Sequence, residues 1–205
     1  MDDRSEREFE VVVKPGFLAT MACLVVVYAL YHTLNTRQLG RPAAILESLN
    51  WGAAVTVLIL LGTLLHELGH VAAGLAAGHR WTRAILNGAG LGVVIEPGPH
   101  GWHRVLRSLA GPLAHLLFAV PLLAVAVLGT PDGQLTVATA QTSIWWVGGV
   151  STVFLAFVNA LPIPGFDGAK VLTGVRELWA GRAAARRTAP VAQAVARTSQ
   201  AASGT

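Results

Sequence analysis

Hydrophobic positions in this chain come in long blocks, with few polar residues interrupting them. Four blocks stand out: roughly Gly16 to Leu34, Trp51 to Gly78, Val105 to Leu128, and Ile144 to Ile163. Each approaches or exceeds the ~20 residues that a helix rising ~1.5 Å per residue needs to cross a ~30 Å hydrocarbon layer. The pattern therefore predicts an all-α polytopic membrane protein with about four transmembrane helices. One segment between the second and third blocks breaks the rule. It runs from Trp81 to Trp102 and sets Asn87-Gly88 between two apolar stretches, a hairpin signal, so a short membrane-associated β-hairpin is expected there. Gly111, Pro112 and Pro121 fall inside the third block, where neighbouring helices can re-satisfy the freed backbone groups. Beyond the fourth, Leu161-Pro162-Ile163-Pro164-Gly165-Phe166 breaks the helix, and Gly168 to Trp179 reads as a short interfacial helix. The organisation is thus a cytoplasmic N-terminal arm (1–15), an intramembrane domain (16–179), and a basic tail (180–205). That tail has no usable apolar face and is expected to be disordered.

Composition supports this reading. Hydrophobic residues make up 53% of the 205 and charged residues only 13%, too apolar a balance for the surface of a soluble domain this small. Residues Met1 to Glu10 are mixed and mostly acidic, so the first block reads as a retained span and not a signal peptide. The single Cys23 excludes an intrachain disulfide. Putting both termini in the cytoplasm leaves 13 of the 15 Lys and Arg residues inside and only Arg37 and Arg41 outside, as the positive-inside rule prefers. All six tryptophans then sit near an interface. The expected location is the cell membrane, multi-pass, with both termini cytoplasmic. The net charge of +4 is then topological; nucleic acid is not an expected partner, whereas the lipid bilayer is.

The chemistry lies in His66-Glu67-Leu68-Gly69-His70. Positions i and i+4 share one helix face, so two imidazoles can converge on one metal ion while Glu67 handles a proton beside them. Three ionisable groups in an apolar helix cost several kcal/mol on insertion scales and point to function. A proton relay or a structural polar contact would need no such spacing. A zinc site also needs a third protein ligand and an open position. Asp167 is the best candidate, because it follows the helix break at the same cytoplasmic depth as the two histidines. Glu96 and His115 are the alternatives, and an ordinary turn aspartate before Gly168 is the bland one.

His66-Glu67-Leu68-Gly69-His70, then Asn159-Ala160-Leu161-Pro162, then Phe166-Asp167-Gly168, resembles the site-2 protease family of intramembrane zinc metalloproteases. That family pairs HExxH on one span with N-x-x-P-x-x-x-x-D-G on a later one. The resemblance covers about Leu60 to Glu177. It implies one Zn2+ per chain held by His66, His70 and Asp167, Glu67 as catalytic base, and Asn159 as a contact to substrate or the developing oxyanion. Ala110-Gly111-Pro112-Leu113-Ala114-His115 is similar to the family's small-residue motif, whose last position is often Asn. His115 there is open between a core histidine and a substrate or zinc contact. The chain is expected to be a minimal, core-only member, without the further spans or the peptide-binding module of many members.

The expectation is an enzyme, a zinc metalloendopeptidase cutting a peptide bond in or near the transmembrane segment of a single-span membrane protein. A regulatory or structural membrane partner could supply missing walls of the site. The alternative is a catalytically inactive, protease-like membrane binding protein; a zinc or proton transporter would need polar groups in the outer halves of the spans, which are almost bare. A last expectation concerns Ile85 to Ile95. Its β-branched run, with Val93 and Val94 as substrate-binding positions, would clamp an unwound substrate by strand addition; a hairpin that only plugs the cytoplasmic mouth is the other reading.

Overall fold

The computed structural model describes residues 10–37, 42–87, 90–96, 100–130 and 134–183. Strand β1 (Glu10–Val13) precedes helix α1 (Gly16–Thr36) and the long helix α2 (Pro42–Ala76). Strands β2 (Arg80–Asn87) and β3 (Gly90–Glu96) follow, then helices α3 (Gly101–Leu128), α4 (Val137–Thr142) and α5 (Ile144–Ala160). A last helix, α6, covers residues 167–183.

The four apolar blocks become α1, α2, α3 and α5. Three of them, α1, α2 and α3, are long and apolar enough to cross a membrane, while α5 is apolar but has only 17 residues. Their outward surfaces are covered with exposed leucine, valine and phenylalanine, among them Leu18, Val57, Leu117, Val120 and Phe154. Such a surface suits lipid and not water. With little hydrophobic drive between helices in a bilayer, close packing falls to small residues. Gly52 shows it: a Cβ there would lie 2.5 Å from the Val25 carbonyl oxygen, so α1 and α2 meet backbone to backbone. Val55, Ile59 and Val147 form a buried cluster between α2 and α5, with Tyr28, Trp51 and Leu155 packed on it.

Several boundaries differ from the sequence expectation. Helix α2 starts at Pro42, well before the second apolar block begins at Trp51, since Pro42 is well placed in the first turn of a helix. The connection between α3 and α5 contains a short helix, α4, capped by reciprocal hydrogen bonds of Thr136 and Thr139. The expected hairpin is present as β2 and β3, antiparallel, with Asn87 opposite Gly90; residues 88–89 of its turn lie outside the described residues. It gains a third strand. β1 pairs in parallel with β2, Val11 opposite Ala84 and Val13 opposite Leu86, so part of the N-terminal arm is sheet. The order β1-β2-β3 leaves β3 on an edge. The tail beyond 183, expected to be disordered, lies outside the described residues.

Candidate metal centre

Two elements build the centre. Helix α2 presents His66 and His70 one turn apart, their rings 4.6 Å centre to centre and nearly perpendicular. Asp167 arrives from the far end of α5. There Pro162 and Pro164 cannot continue a helix, and Gly165 takes a φ of +98°, open to glycine at little cost. Residues 161–166 turn back through short bonds such as Ile163 N–H to the Leu161 carbonyl, 2.8 Å. Asp167 then opens α6, where the helix N-terminus favours a carboxylate. Gly168 lets this corner close, since a Cβ there would fall on the carbonyls of Ala160 and Leu161.

The donor atoms face one another. Nε2 of His66 and Nε2 of His70 are 3.1 Å apart, and Asp167 Oδ2 lies 2.9 Å from the first and 3.0 Å from the second. All three residues are buried, at 4%, 7% and 3% exposure. Tetrahedral ligands at 2.0–2.1 Å from zinc stand about 3.3 Å from one another, so the triangle fits the ion after opening by a few tenths of an ångström. The donor set, two imidazoles and a carboxylate, is of the kind catalytic zinc takes. Gly111 of α3 keeps the adjoining space clear: a Cβ there would sit 2.5 Å from Nε2 of His70 and 2.7 Å from Nε2 of His66.

Two acids could complete the set. One Glu67 oxygen and one nitrogen from each histidine lie within 4.8 Å of one another, so these three could also hold a cation. Asp167 is closer, and a single one of its oxygens serves both histidines. Its other oxygen, Oδ1, accepts from Lys170 Nζ at 2.7 Å. Asp167 is therefore held to offer one oxygen, while buried Glu67 stays beside the triangle.

The supporting contacts are specific. His70 Nδ1–H donates to the Arg107 carbonyl at 2.7 Å. A carbonyl only accepts, so this bond leaves Nε2 bare for a metal. His66 Nδ1 faces Nδ1 of His115 at 3.1 Å, and His115 is 1% exposed. His115 thus stands behind His66 and outside the triangle. Gly69 brings α2 against α3, a Cβ there reaching within 2.6 Å of the Ala110 carbonyl oxygen.

Asn159 is half-buried in the last turn of α5. Val93 and Val94 lie on β3, opposite Ala84 and Arg83; their side chains are outside the described residues, as is that of Glu96, which pairs with Arg80. Sequence reasoning missed Lys170 and the Arg107 carbonyl. The first carried a signal, a base three residues after an acid at a helix start. The second is a backbone atom and carried none.

Apolar helices of spanning length surround a buried centre of two histidines and a carboxylate, a donor set that could hold a metal ion in a membrane protein. The family model for Peptidase family M50 matches residues 126–201, a stretch that holds Asn159 and Asp167 but not His66 to His70. The fold is similar to that of the site-2 protease from Methanocaldococcus jannaschii, with a TM-score of 0.54 and 16% identity over 79% of this chain and 64% of that chain. This chain thus spans less than two thirds of that protein's length. A search of curated proteins by sequence finds no match.

Proposed function

We propose that this chain is an intramembrane zinc metalloprotease that hydrolyses a peptide bond in or near the transmembrane segment of a membrane-protein substrate. The observation that carries the reading is the buried triangle of His66 Nε2, His70 Nε2 and Asp167 Oδ2, with sides of 2.9 to 3.1 Å. These three residues would hold one zinc per chain. Zinc, when bound, would polarise the scissile carbonyl and make a water molecule acidic enough to lose a proton near neutral pH. Glu67, buried beside the triangle, would accept a proton there and hand it to the leaving amine. Asn159 offers an amide N–H where negative charge develops on the substrate.

A helical substrate hides its carbonyls in i to i−4 bonds and must unwind locally before cleavage. The outer edge of β3, with Val93 and Val94 and unpaired among the described residues, offers replacement backbone partners. The expected substrate is a single-span membrane protein, presented within the bilayer, with water entering from the cytoplasmic side. Substrate trapping tests the proposal: Glu67→Gln protein is purified and its co-purifying membrane proteins are identified. The account expects a single-span protein that the wild type cleaves and Glu67→Gln does not. Cleavage by Glu67→Gln at the wild-type rate would show that the base is wrong.

A further inference from the structure

His115 is among the most completely buried side chains, and it stands one hydrogen bond behind the donor triangle. Its ring centre is 4.6 Å from that of His66. Its Cδ2 lies over Gly62, with Phe118 and Thr152 alongside, so that a Cβ on residue 62 would come within 3.4 Å of the ring. Among the described residues its Nε2 has no hydrogen-bond partner.

A neutral imidazole carries its proton on one nitrogen only. The bond between the two Nδ1 atoms, 3.1 Å long, therefore has two possible directions. If His66 donates from Nδ1, its Nε2 is a bare lone pair facing the triangle. If His115 donates, His66 carries its proton on Nε2, aimed at Asp167, and cannot ligate. For His70 the Arg107 carbonyl makes this choice, because it can only accept. For His66 the atom in that place belongs to His115.

We propose that His115 is a positioning residue, neither ligand nor substrate contact, that accepts Nδ1–H of His66 and so holds that ring in the tautomer and orientation ligation requires. The inference rests on the zinc reading above. In this state His115 carries its own proton on Nε2, the buried atom without a partner. An unpaired buried donor is a standing cost to the fold, so stability alone would favour an apolar side chain at this position. Retaining an imidazole makes sense through what its other nitrogen does.

The test is zinc affinity, measured by chelator competition on the purified full chain, together with thermal unfolding of the metal-free protein. Asparagine carries Oδ1 on Cγ where histidine carries Nδ1, so His115→Asn keeps an acceptor facing His66, while His115→Leu removes it. His115→Leu should bind zinc ~10–100-fold more weakly, and His115→Asn should stay within about threefold of wild type. The metal-free Leu variant should unfold no lower than wild type. Wild-type affinity in His115→Leu would overturn the inference, and so would equal losses in the Asn and Leu variants. Should His115→Leu fail to fold, His115→Ala makes the same comparison. A wild-type protein that binds no zinc would overturn the zinc reading itself, a result distinct from either of these.

Discussion

Nε2 of His66 and Nε2 of His70 lie so close to Gly111 that a single methyl group there would meet both. Gly111→Ala should therefore push the imidazoles apart, and we expect it to lower zinc affinity by about tenfold or more, as disturbing a ligand's support does. Overpacking of this kind also costs roughly 1–3 kcal/mol of stability. Zinc titration of the folded variant checks this; unchanged affinity would mean that the histidines move aside freely. At this scale the sequence was most readable where spacing alone carried the meaning. His66, Glu67 and His70 follow from the helical period. Asp167 needed the additional inference that the Pro162–Gly165 break returns the chain to the same depth. Lys170 on Oδ1 of Asp167 and the Arg107 carbonyl on His70 depend on tertiary placement. No spacing rule reaches them.

Among the elements, the hairpin could be read locally because a turn signal sits between two β-prone runs. β1 could not, because its partner β2 lies beyond α1 and α2 in the chain and the pairing is parallel. The Val11-Val12-Val13 run was its only trace. Since β2 is paired on both sides, a substrate strand can add only beside β1 or β3, and the clamp reading takes β3. Val93→Pro removes a backbone donor from that strand, whereas Val93→Ala mainly trims the side chain. We expect the proline variant to lose cleavage with folding and zinc intact, and the alanine variant to keep most of it. Equal activity would end the clamp reading and leave a plug.

The start of α3 is tied to α6: Gly101 N–H donates to Glu177 Oε2 at 2.6 Å, and Arg104 pairs with Oε1 at 3.1 Å. The Gly101 N–H, and after it the charge of Arg104, hold the Glu177 carboxyl below the usual carboxylate range. A depressed carboxylate stabilises the fold above its unfolded pKa of ~4.3 and loses that contribution as pH falls through the folded value. Wild type and Glu177→Ala should thus differ in unfolding temperature at pH 7 and converge in acid. A difference that grows in acid would contradict this.

At the scale of the molecule, the described residues form a bundle of apolar helices whose proposed metal ligands come from α2 and the start of α6. At ~1.5 Å per residue, α2 is about 50 Å long, more than the ~30 Å hydrocarbon layer requires, so it must tilt or project from the bilayer. The charge asymmetry leads us to propose that both termini are cytoplasmic: a reporter fused after Thr205 should read as cytoplasmic and one inserted near Asp132 as external. The reverse would put the His66–Asp167 centre in the outer half of the membrane and remove the cytoplasmic route for water. The central claim is that two helices close a zinc site in the bilayer, and metal analysis of three purified proteins tests it most directly. Wild type and Glu67→Gln should each carry about one zinc per chain and Asp167→Ala close to none, because two histidines and solvent do not complete the site. Full occupancy in Asp167→Ala, or a wild type without zinc, would contradict the account.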